Sequence, residues 1–397
     1  MPRKAITFLG IGNYQETTYT WQGEQCTTLY MAEATARIFA PDELLVLLTT
    51  EAEAKDYAAL VQRLAGTVPI RKLSIPNGRS ETELWEIFSV IAEAVDPGDS
   101  LIFDITSSYR SLPVLALLAA SFLRTVREAT VERMIYGAFE ARENNVSPIF
   151  DLTPFIALLD WTTATEAFLR YGRADDLAEQ VRNSVHSVPS APANNDSRIA
   201  DQLATLTRAL QTVRTAEVME SADRLDQLLQ QRRNDTENDP PTAPFTMLLD
   251  QITDGYAHLA LADPMDPANS NAVLQRKLAM VYWYLQKAMP VQAITLSREW
   301  LVSLVVARRG QELFDRSHRV EAEDLLNARV QAAETDPIHT DLPRMQKIWI
   351  ELAGLRNDVA HTGMRPGSAH AQKVFQRADK IYEKLQQLLI LLNQRPS

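Results

Sequence analysis

The chain has 397 residues, of which 46% are hydrophobic, and its formal net charge at pH 7 is -11. This length and apolar content allow at least two hydrophobic cores, and therefore two or three domains of a soluble globular protein. The negative charge argues against a protein that coats nucleic acid through a general positive field, so any RNA site must be local. The single cysteine, Cys26, excludes internal disulfide bonds and multi-cysteine metal sites, which fits a reducing cytosol.

The first 150 residues alternate short β-rich runs with helical patterns. The first run follows Arg3 and Lys4 and is broken at Gly10 and Gly12, which predicts a strand rather than a signal peptide. Strands are predicted at residues 5–9, 44–49, 68–75, 100–105, 131–139 and 147–152. Helical crossovers are predicted at residues 27–39, 55–64, 81–95 and 112–126, the last buried against the sheet. This alternation predicts an α/β, Rossmann-like domain with a parallel sheet over residues 1–150.

Beyond residue 151 the strand signals vanish, and the sequence predicts an all-α domain over residues 151–397. In one helix of this domain, Asp341 and Pro343 mark the start, and Gly363 and Pro366 mark the end. Its apolar residues recur at three-and-four spacing and define a buried stripe: Met345, Ile348, Trp349, Leu352, Leu355 and Val359. No segment of the sequence is long enough to span a bilayer.

The loop after the first strand is a candidate ligand site, because ligands of open parallel sheets bind outside the C-terminal ends of the strands. It contains Gly10, Gly12, Asn13 and Tyr14. The glycines let the backbone approach a ligand closely. Gln15 stands where the dinucleotide fingerprint needs a third glycine, and a tight turn without a ligand explains the glycine pair equally well.

The loop after residues 101–105 is the second candidate. Its polar residues are Thr106, Ser107, Ser108, Arg110 and Ser111. Hydroxyls, a guanidinium and the free amides of a helix start together suit a phosphodiester or another anion. The alternative is an ordinary serine cap, with Arg110 paired to a surface carboxylate.

Arg356, Asn357 and His361 near the end of the chain form the candidate catalytic set. A guanidinium can hold a scissile phosphate, and an imidazole can move protons near neutral pH, so the pair suits RNA cleavage by the RNA's own 2'-hydroxyl. Asn357 would orient His361 or the phosphate. Arg356 and His361 lie roughly 140° apart around a helix, which predicts that two copies of the chain pool their residues in a two-fold dimer. The alternative for His361 is a histidine that favours the helix dipole.

These motifs resemble those of a known family. The pattern Phe8-Leu9-Gly10-x-Gly12-x-Tyr14, with Asp104-x-Thr106-x-x-x-Arg110-Ser111-Leu112-Pro113, resembles the CARF domain of type III CRISPR accessory proteins. The spacing of Arg356 and His361 is similar to that of the CARF-HEPN ribonucleases. The resemblance implies a CARF sensor of cyclic oligoadenylate over residues 1–150 and a helical HEPN ribonuclease domain with connecting helices over residues 151–397. It also implies a homodimer that binds single-stranded RNA in one cleft.

The leading hypothesis is therefore a cytoplasmic, metal-independent endoribonuclease of antiviral defence. By resemblance its activator is a cyclic oligoadenylate, with cyclic tetra-adenylate as the first choice, and no further cofactor is expected. One rival is a ligand-binding regulator or scaffold with an inactive helical domain. Another is a sensor that degrades its own ligand, with Thr106, Ser107 and Ser108 near the phosphate. We also expect Arg298 and Glu299 to supply an ion pair that supports the Arg356 helix, a surface pair being the alternative.

Overall fold

The computed structural model describes residues 2–106, 112–184, 193–236, 243–364 and 368–393. The chain divides into two compact units, Met1–Leu159 and Asp160–Ser397. The division lies inside one helix, Thr153–Tyr171. Among the described residues, no helix is long and apolar enough to cross a membrane.

The N-terminal unit is built on one eight-stranded sheet. The strands are β1 (Arg3–Leu9), β2 (Thr17–Trp21), β3 (Glu24–Thr28), β4 (Glu43–Leu48), β5 (Ile70–Ser74), β6 (Ser100–Asp104), β7 (Thr130–Gly137) and β8 (Val146–Asp151). Their spatial order is β3-β2-β8-β7-β6-β1-β4-β5. The five strands from β7 to β5 are mutually parallel, as the sequence predicts. The sheet as a whole is mixed, because β8 is antiparallel to β7 and β3 is antiparallel to β2.

The β2–β3 hairpin was not predicted, and the last two residues of its second strand, Thr27 and Thr28, fall within the range predicted for the first helix. The two strands are joined by Gln22 and Gly23, which both have positive φ, at 48° and 93°. Such a two-residue turn matches the twist of paired strands. The first helix consequently begins later, at Met31.

Helices cover both faces of this sheet. They are α1 (Met31–Phe39), α2 (Thr50–Ala52), α3 (Ala58–Arg63), α4 (Glu81–Ala94) and α5 (Leu112–Val126). Alternate residues of β4 point to opposite faces: Leu44 and Val46 join the core that includes α1, whereas Leu45 and Leu47 join the core that includes α4 and α5. This period of two is what a strand between two helical layers requires.

Helix α5 has the predicted bounds but is buried on one face only. Ala116, Ala119, Ala120 and Leu123 are buried in the core. An exposed apolar row runs along the helix at four-residue spacing: Val114, Leu118, Phe122 and Val126. We call these four residues the α5 row.

The second unit is helical throughout its described residues, as predicted. After the helix shared by both units, α6 (Thr153–Tyr171), the helices are α7 (Asp175–Ser184), α8 (Ala193–Gln211), α9 (Thr215–Thr236), α10 (Ala243–Tyr256), α11 (Ser270–Gln286), α12 (Pro290–Arg308), α13 (Arg316–Leu326), α14 (Leu342–Ala360) and α15 (Ala371–Asn393). Helix α12 is central, and its Trp300 is fully buried and donates from Nε1 to the carbonyl oxygen of Leu274 at 2.8 Å. The predicted stripe of α14 is confirmed from Met345 to Leu355, and Val359 is half-buried.

Candidate ligand-binding edge and catalytic helix

The two predicted ligand loops start from neighbouring strands. β1 pairs with β4 on one side and with β6 on the other, and Thr7 of β1 lies opposite Asp104 of β6. The chain moves to one side of β1 for β4 and β5 and returns to the other side for β6, so β1 and β6 form the topological switch point of the sheet. Crevices at such points are where open α/β sheets bind ligands.

Of the second loop, the structure describes only the first candidate, Thr106. Ser107, Ser108, Arg110 and Ser111 lie outside the described residues. The Thr106 hydroxyl accepts a hydrogen bond from the backbone N–H of Gly137 at 2.8 Å. This bond ties the start of the loop to the end of β7.

A buried carboxylate connects the two loop-bearing strands. Asp104 accepts hydrogen bonds from the Thr7 hydroxyl at 2.6 Å and from the backbone N–H of Thr106 at 2.9 Å. Burial raises the pKa of Asp104 above its usual range, and the bonds from Thr106 and Thr7 oppose that shift. Asp104 thereby fixes the positions at which both loops leave the sheet.

The first loop is held from within by Tyr14. Its hydroxyl accepts from the backbone N–H of Gly10 at 2.8 Å and donates to the Gly10 carbonyl oxygen at 3.1 Å. Gly12 and Asn13 are exposed, and no atom lies within 4 Å of the position that a Cβ on Gly12 would occupy. Packing therefore does not require glycine at position 12, which leaves room for a ligand near the backbone.

The same loop is held from outside by Lys55, a residue that the sequence analysis did not assign to the site. Its ammonium donates to the carbonyl oxygens of Ile11 at 2.9 Å and Gly12 at 2.7 Å, and to Asn13 Oδ1 at 3.3 Å. Lys55 lies on a π-helical turn, Glu53–Tyr57, between α2 and α3. Such turns are rare and frequently occur at functional sites. The turn places an exposed positive charge directly beside the loop.

The candidate catalytic residues lie at the solvent-exposed end of α14. Arg356 is exposed, and its guanidinium has no hydrogen-bond or ion-pair partner among the described residues. His361 follows the last helical residue, is exposed, and donates its backbone N–H to the Asn357 carbonyl oxygen at 3.0 Å. Thr362 and Gly363 then adopt left-handed conformations, with φ of 51° and 71°, which end the helix.

One face of α14 is largely exposed to solvent. Ile350 is 69% exposed, and Gly354 is exposed with nothing within 4 Å of a Cβ position. Ile350, Gly354, Asn357 and His361 follow one another at spacings of four, three and four residues, so they share this face. We call it the open face of α14.

The opposite side of α14 is anchored through Trp349. The Arg298 guanidinium lies over the indole ring of Trp349 at 4.5 Å and pairs with Glu299 at 2.7 Å and Glu323 at 3.0 Å. Trp349 Nε1 also donates to Asn327 Oδ1 at 2.9 Å. The expected Arg298–Glu299 pair is therefore present, and Arg298 supports the helix by stacking on an aromatic ring.

Comparison with known proteins identifies the N-terminal part. Residues 4–140 match the family model described as the CARF domain of the CRISPR system endoribonuclease Csx1. Residues 4–140 therefore form a CARF domain, in agreement with the resemblance of the loop motifs. Both loops at the switch point, as far as the structure describes them, belong to this CARF domain.

A second family model matches the segment that follows the CARF domain. It is described as the second domain of the CRISPR-associated protein MJ1674 and covers residues 157–260. The MJ1674 protein of Methanocaldococcus jannaschii is 25% identical over 164 residues, which cover 40% of this chain. The chain spans about a quarter of that relative's length, 24%. Arg356, Asn357 and His361 lie beyond both matched segments.

Among solved structures, Enterococcus italicus Csm6 bound to cyclic hexa-2'-fluoro-hexa-dAMP aligns with 98% of this CARF-containing chain and 94% of its own. The sequence identity is 13% and the TM-score is 0.41. Within the part of the chain that the structure describes, no group of three or more His, Cys, Asp or Glu side chains could hold a metal ion.

Proposed function

We propose that the chain is a CRISPR-associated endoribonuclease of the cytoplasm that acts in antiviral defence and is activated by cyclic oligoadenylate. The observation that carries the proposal is the exposed end of α14, where Arg356 has no partner among the described residues and His361 stands next to solvent. It occurs in a chain whose N-terminal part matches the CARF domain of an endoribonuclease.

In the proposed reaction, His361 moves protons and Arg356 stabilises charge. The RNA 2'-hydroxyl gives up its proton and attacks the adjacent phosphorus, and the bond from phosphorus to the 5'-oxygen breaks as that oxygen gains a proton. Arg356 neutralises the charge that builds on the phosphoryl oxygens, and Asn357 orients His361 or the phosphate. The products are a 2',3'-cyclic phosphate and a 5'-hydroxyl. This route uses side chains alone and requires no metal ion.

A homodimer supplies the complete site. Arg356 and His361 lie roughly 140° apart around α14, so a single chain presents them to different directions. The open face of α14, with Ile350 and the bare backbone at Gly354, suits close approach of the same face of a second copy. The exposed α5 row of the CARF domain is a second apolar surface that pairing of two copies would cover.

The activator binds at the switch point of the CARF sheet. Its phosphates would meet the backbone of the Gly10–Tyr14 loop, the Lys55 ammonium and the loop that begins at Thr106. We propose cyclic tetra-adenylate as the first ligand to try. A ring on the axis between two CARF domains binds one arrangement of the pair better than another, and this difference in affinity is what activates cleavage.

The test measures cleavage of labelled single-stranded RNA in the presence of a chelator, with and without each cyclic oligoadenylate. The wild type should cleave only with an activator and leave 2',3'-cyclic phosphate ends. The Arg356→Ala/His361→Ala variant should be at least about 100-fold slower, because general acid–base catalysis contributes that much or more. The matched control, Arg208→Ala/His339→Ala, removes an exposed arginine and an exposed histidine elsewhere in the helical unit and should behave as wild type.

If the Arg356→Ala/His361→Ala variant cleaves RNA as fast as wild type, the proposed active site is wrong. A wild type that binds the activator and cleaves no RNA would favour the regulator or scaffold. Loss of the cyclic ligand over hours would identify the sensor as an enzyme in its own right.

A further inference from the structure

Helix α15 carries four basic residues on one face: Lys373, Arg377, Lys380 and Lys384. Their spacings of four, three and four residues keep them within roughly 60° around the axis, over about 16 Å of helix. Lys373, Arg377 and Lys380 are exposed, and none of their side chains has a hydrogen-bond or ion-pair partner among the described residues. Lys384 pairs with Glu351 of α14. We call these four residues the basic stripe.

The basic stripe runs antiparallel to α14 and begins beside the candidate catalytic end. At the far end, Lys384 pairs with Glu351, and Arg344 Nη2 donates to Gln387 Oε1 at 3.5 Å. At the near end, the backbone N–H of Ala369, two residues before α15, donates to Asp358 Oδ2 at 3.0 Å. Lys373, in the first turn of α15, therefore lies close to the end of α14 that carries His361.

Each charge of α15 has a charge of the same sign one turn away, and the one pair of opposite signs at that distance is Lys380 with Glu383, three residues later. Every charged pair at i,i+4 has like signs, namely Lys373 with Arg377, Lys380 with Lys384, and Asp379 with Glu383. Such pairs destabilise an isolated helix by about 0.2–0.5 kcal/mol each. A helix face that served only solubility would mix the signs, so this arrangement points to a polyanion outside the chain. It stands out further in a protein whose net charge is -11.

We propose that the basic stripe binds the sugar-phosphate backbone of the RNA substrate and leads it to the Arg356/His361 end of α14. This inference rests on the proposed ribonuclease function and names the surface that captures the substrate. An open row of point charges suits an extended polyanion better than a small anion, which would need a pocket. The contacts are to phosphates, so the stripe contributes affinity and direction without reading bases.

The test uses the full-length chain with Lys373, Arg377 and Lys380 all changed to glutamine, which keeps helix propensity. Binding of a fluorescent single-stranded RNA is measured against salt in a His361→Ala background with activator present. Each lost phosphate contact on a single strand lowers the salt slope by about 0.7, so the slope should fall by about 2 and the affinity by about 10- to 100-fold at 0.1 M salt. In a chain that retains His361, the same three substitutions should raise the KM for RNA and leave kcat unchanged.

The matched control changes Arg208, Arg214 and Arg224 to glutamine, three exposed arginines of the same unit. It carries the same charge change and should keep the wild-type salt slope. An unchanged slope in the stripe variant, or an equal fall in the control, overturns the proposal. So does a stripe variant that keeps RNA binding but loses binding of poly-glutamate, since that result assigns the stripe to an acidic protein. If the His361→Ala variant still cleaves RNA, His361 is not the catalytic residue and the proposed function is contradicted. The RNA-binding data still test the basic stripe separately.

Discussion

Replacing Lys277 of α11 with methionine should make the helical unit more stable at pH 7. The Lys277 side chain is buried, the residue being 5% exposed, and its ammonium donates to the Ser303 hydroxyl at 3.2 Å. The Phe314 ring lies 5.5 Å away, and no carboxylate of the described residues pairs with the ammonium. Burial, together with the nearby Arg319 guanidinium, lowers the pKa of Lys277 to about 8. The folded state therefore disfavours the charged form.

The size and sign of the effect follow from that pKa. An unfolded lysine has a pKa of about 10.4, so between pH 8 and 10.4 the unfolded chain binds more protons than the folded one and stability rises with pH. Below pH 8 the full penalty is present, and a shift of about two and a half pKa units corresponds to about 3 kcal/mol. Methionine removes the penalty but also the bond to Ser303, worth about 1 kcal/mol. The expected gain at pH 7 is about 1–3 kcal/mol.

Denaturant unfolding followed by tryptophan fluorescence, at pH 7 and at pH 10, measures the gain in the free energy of unfolding and its dependence on pH. The difference in the free energy of unfolding between Lys277→Met and wild type should shrink from pH 7 to pH 10, because the cost of the charged lysine falls as it loses its proton. Titrating groups common to both proteins cancel in this difference. Lys347→Met, at an exposed lysine of α14, should show no such change. A variant that is less stable than wild type at pH 7, or a difference that is the same at both pH values, would refute the reasoning.

Three further predictions concern the loop, a tight packing point and an ion pair. Lys55→Met should weaken binding of the cyclic activator about tenfold or more in calorimetry, because three hydrogen bonds that order the loop are lost; unchanged affinity would contradict this role. Gly172→Ala should lower the free energy of unfolding by about 2–4 kcal/mol, since Gly172 has φ of 65° and the Trp283 ring fills the Cβ position; a denaturant midpoint close to wild type would be inconsistent with that packing. The Arg3 guanidinium holds the pKa of Glu132 below its usual range. The Arg3–Glu132 pair therefore contributes its full stability above the unfolded pKa of about 4.3, and this contribution is lost as pH falls through the folded pKa. Glu132→Gln should therefore lose less stability than wild type on acidification. If the free energy of unfolding falls with pH equally in both proteins, the ion pair does not contribute as described.

The parallel core of the CARF sheet was predictable because its strands are short apolar runs between clear helical patterns. β4, buried on both faces from Leu44 to Leu48, is an example. The β2–β3 hairpin was not predictable, because its many threonines give little hydrophobic signal and its turn is Gln22-Gly23 rather than Asn-Gly. Such strands are stabilised by edge pairing in the finished sheet, which local periodicity does not report.

The candidate site was predictable where a motif lies within one segment. Arg356, Asn357 and His361 are separated by a few residues of one helix, so spacing alone gives their relation. Lys55 reaches the Gly10–Tyr14 loop across more than forty residues, from a π-helical turn that a period of 3.6 does not anticipate. The same limit applies to Asp104, whose pairing with Thr7 depends on strand order.

In the proposed dimer, the wide angle between Arg356 and His361 on α14 would make the rate of cleavage depend on the concentration of the protein itself. If each protomer supplies only part of the active site, the protein dimerises little at low concentration and remains inactive even when the cyclic activator is abundant. Activity would then climb more steeply than in proportion to expression. A cell could hold such a destructive enzyme in reserve simply by keeping it scarce.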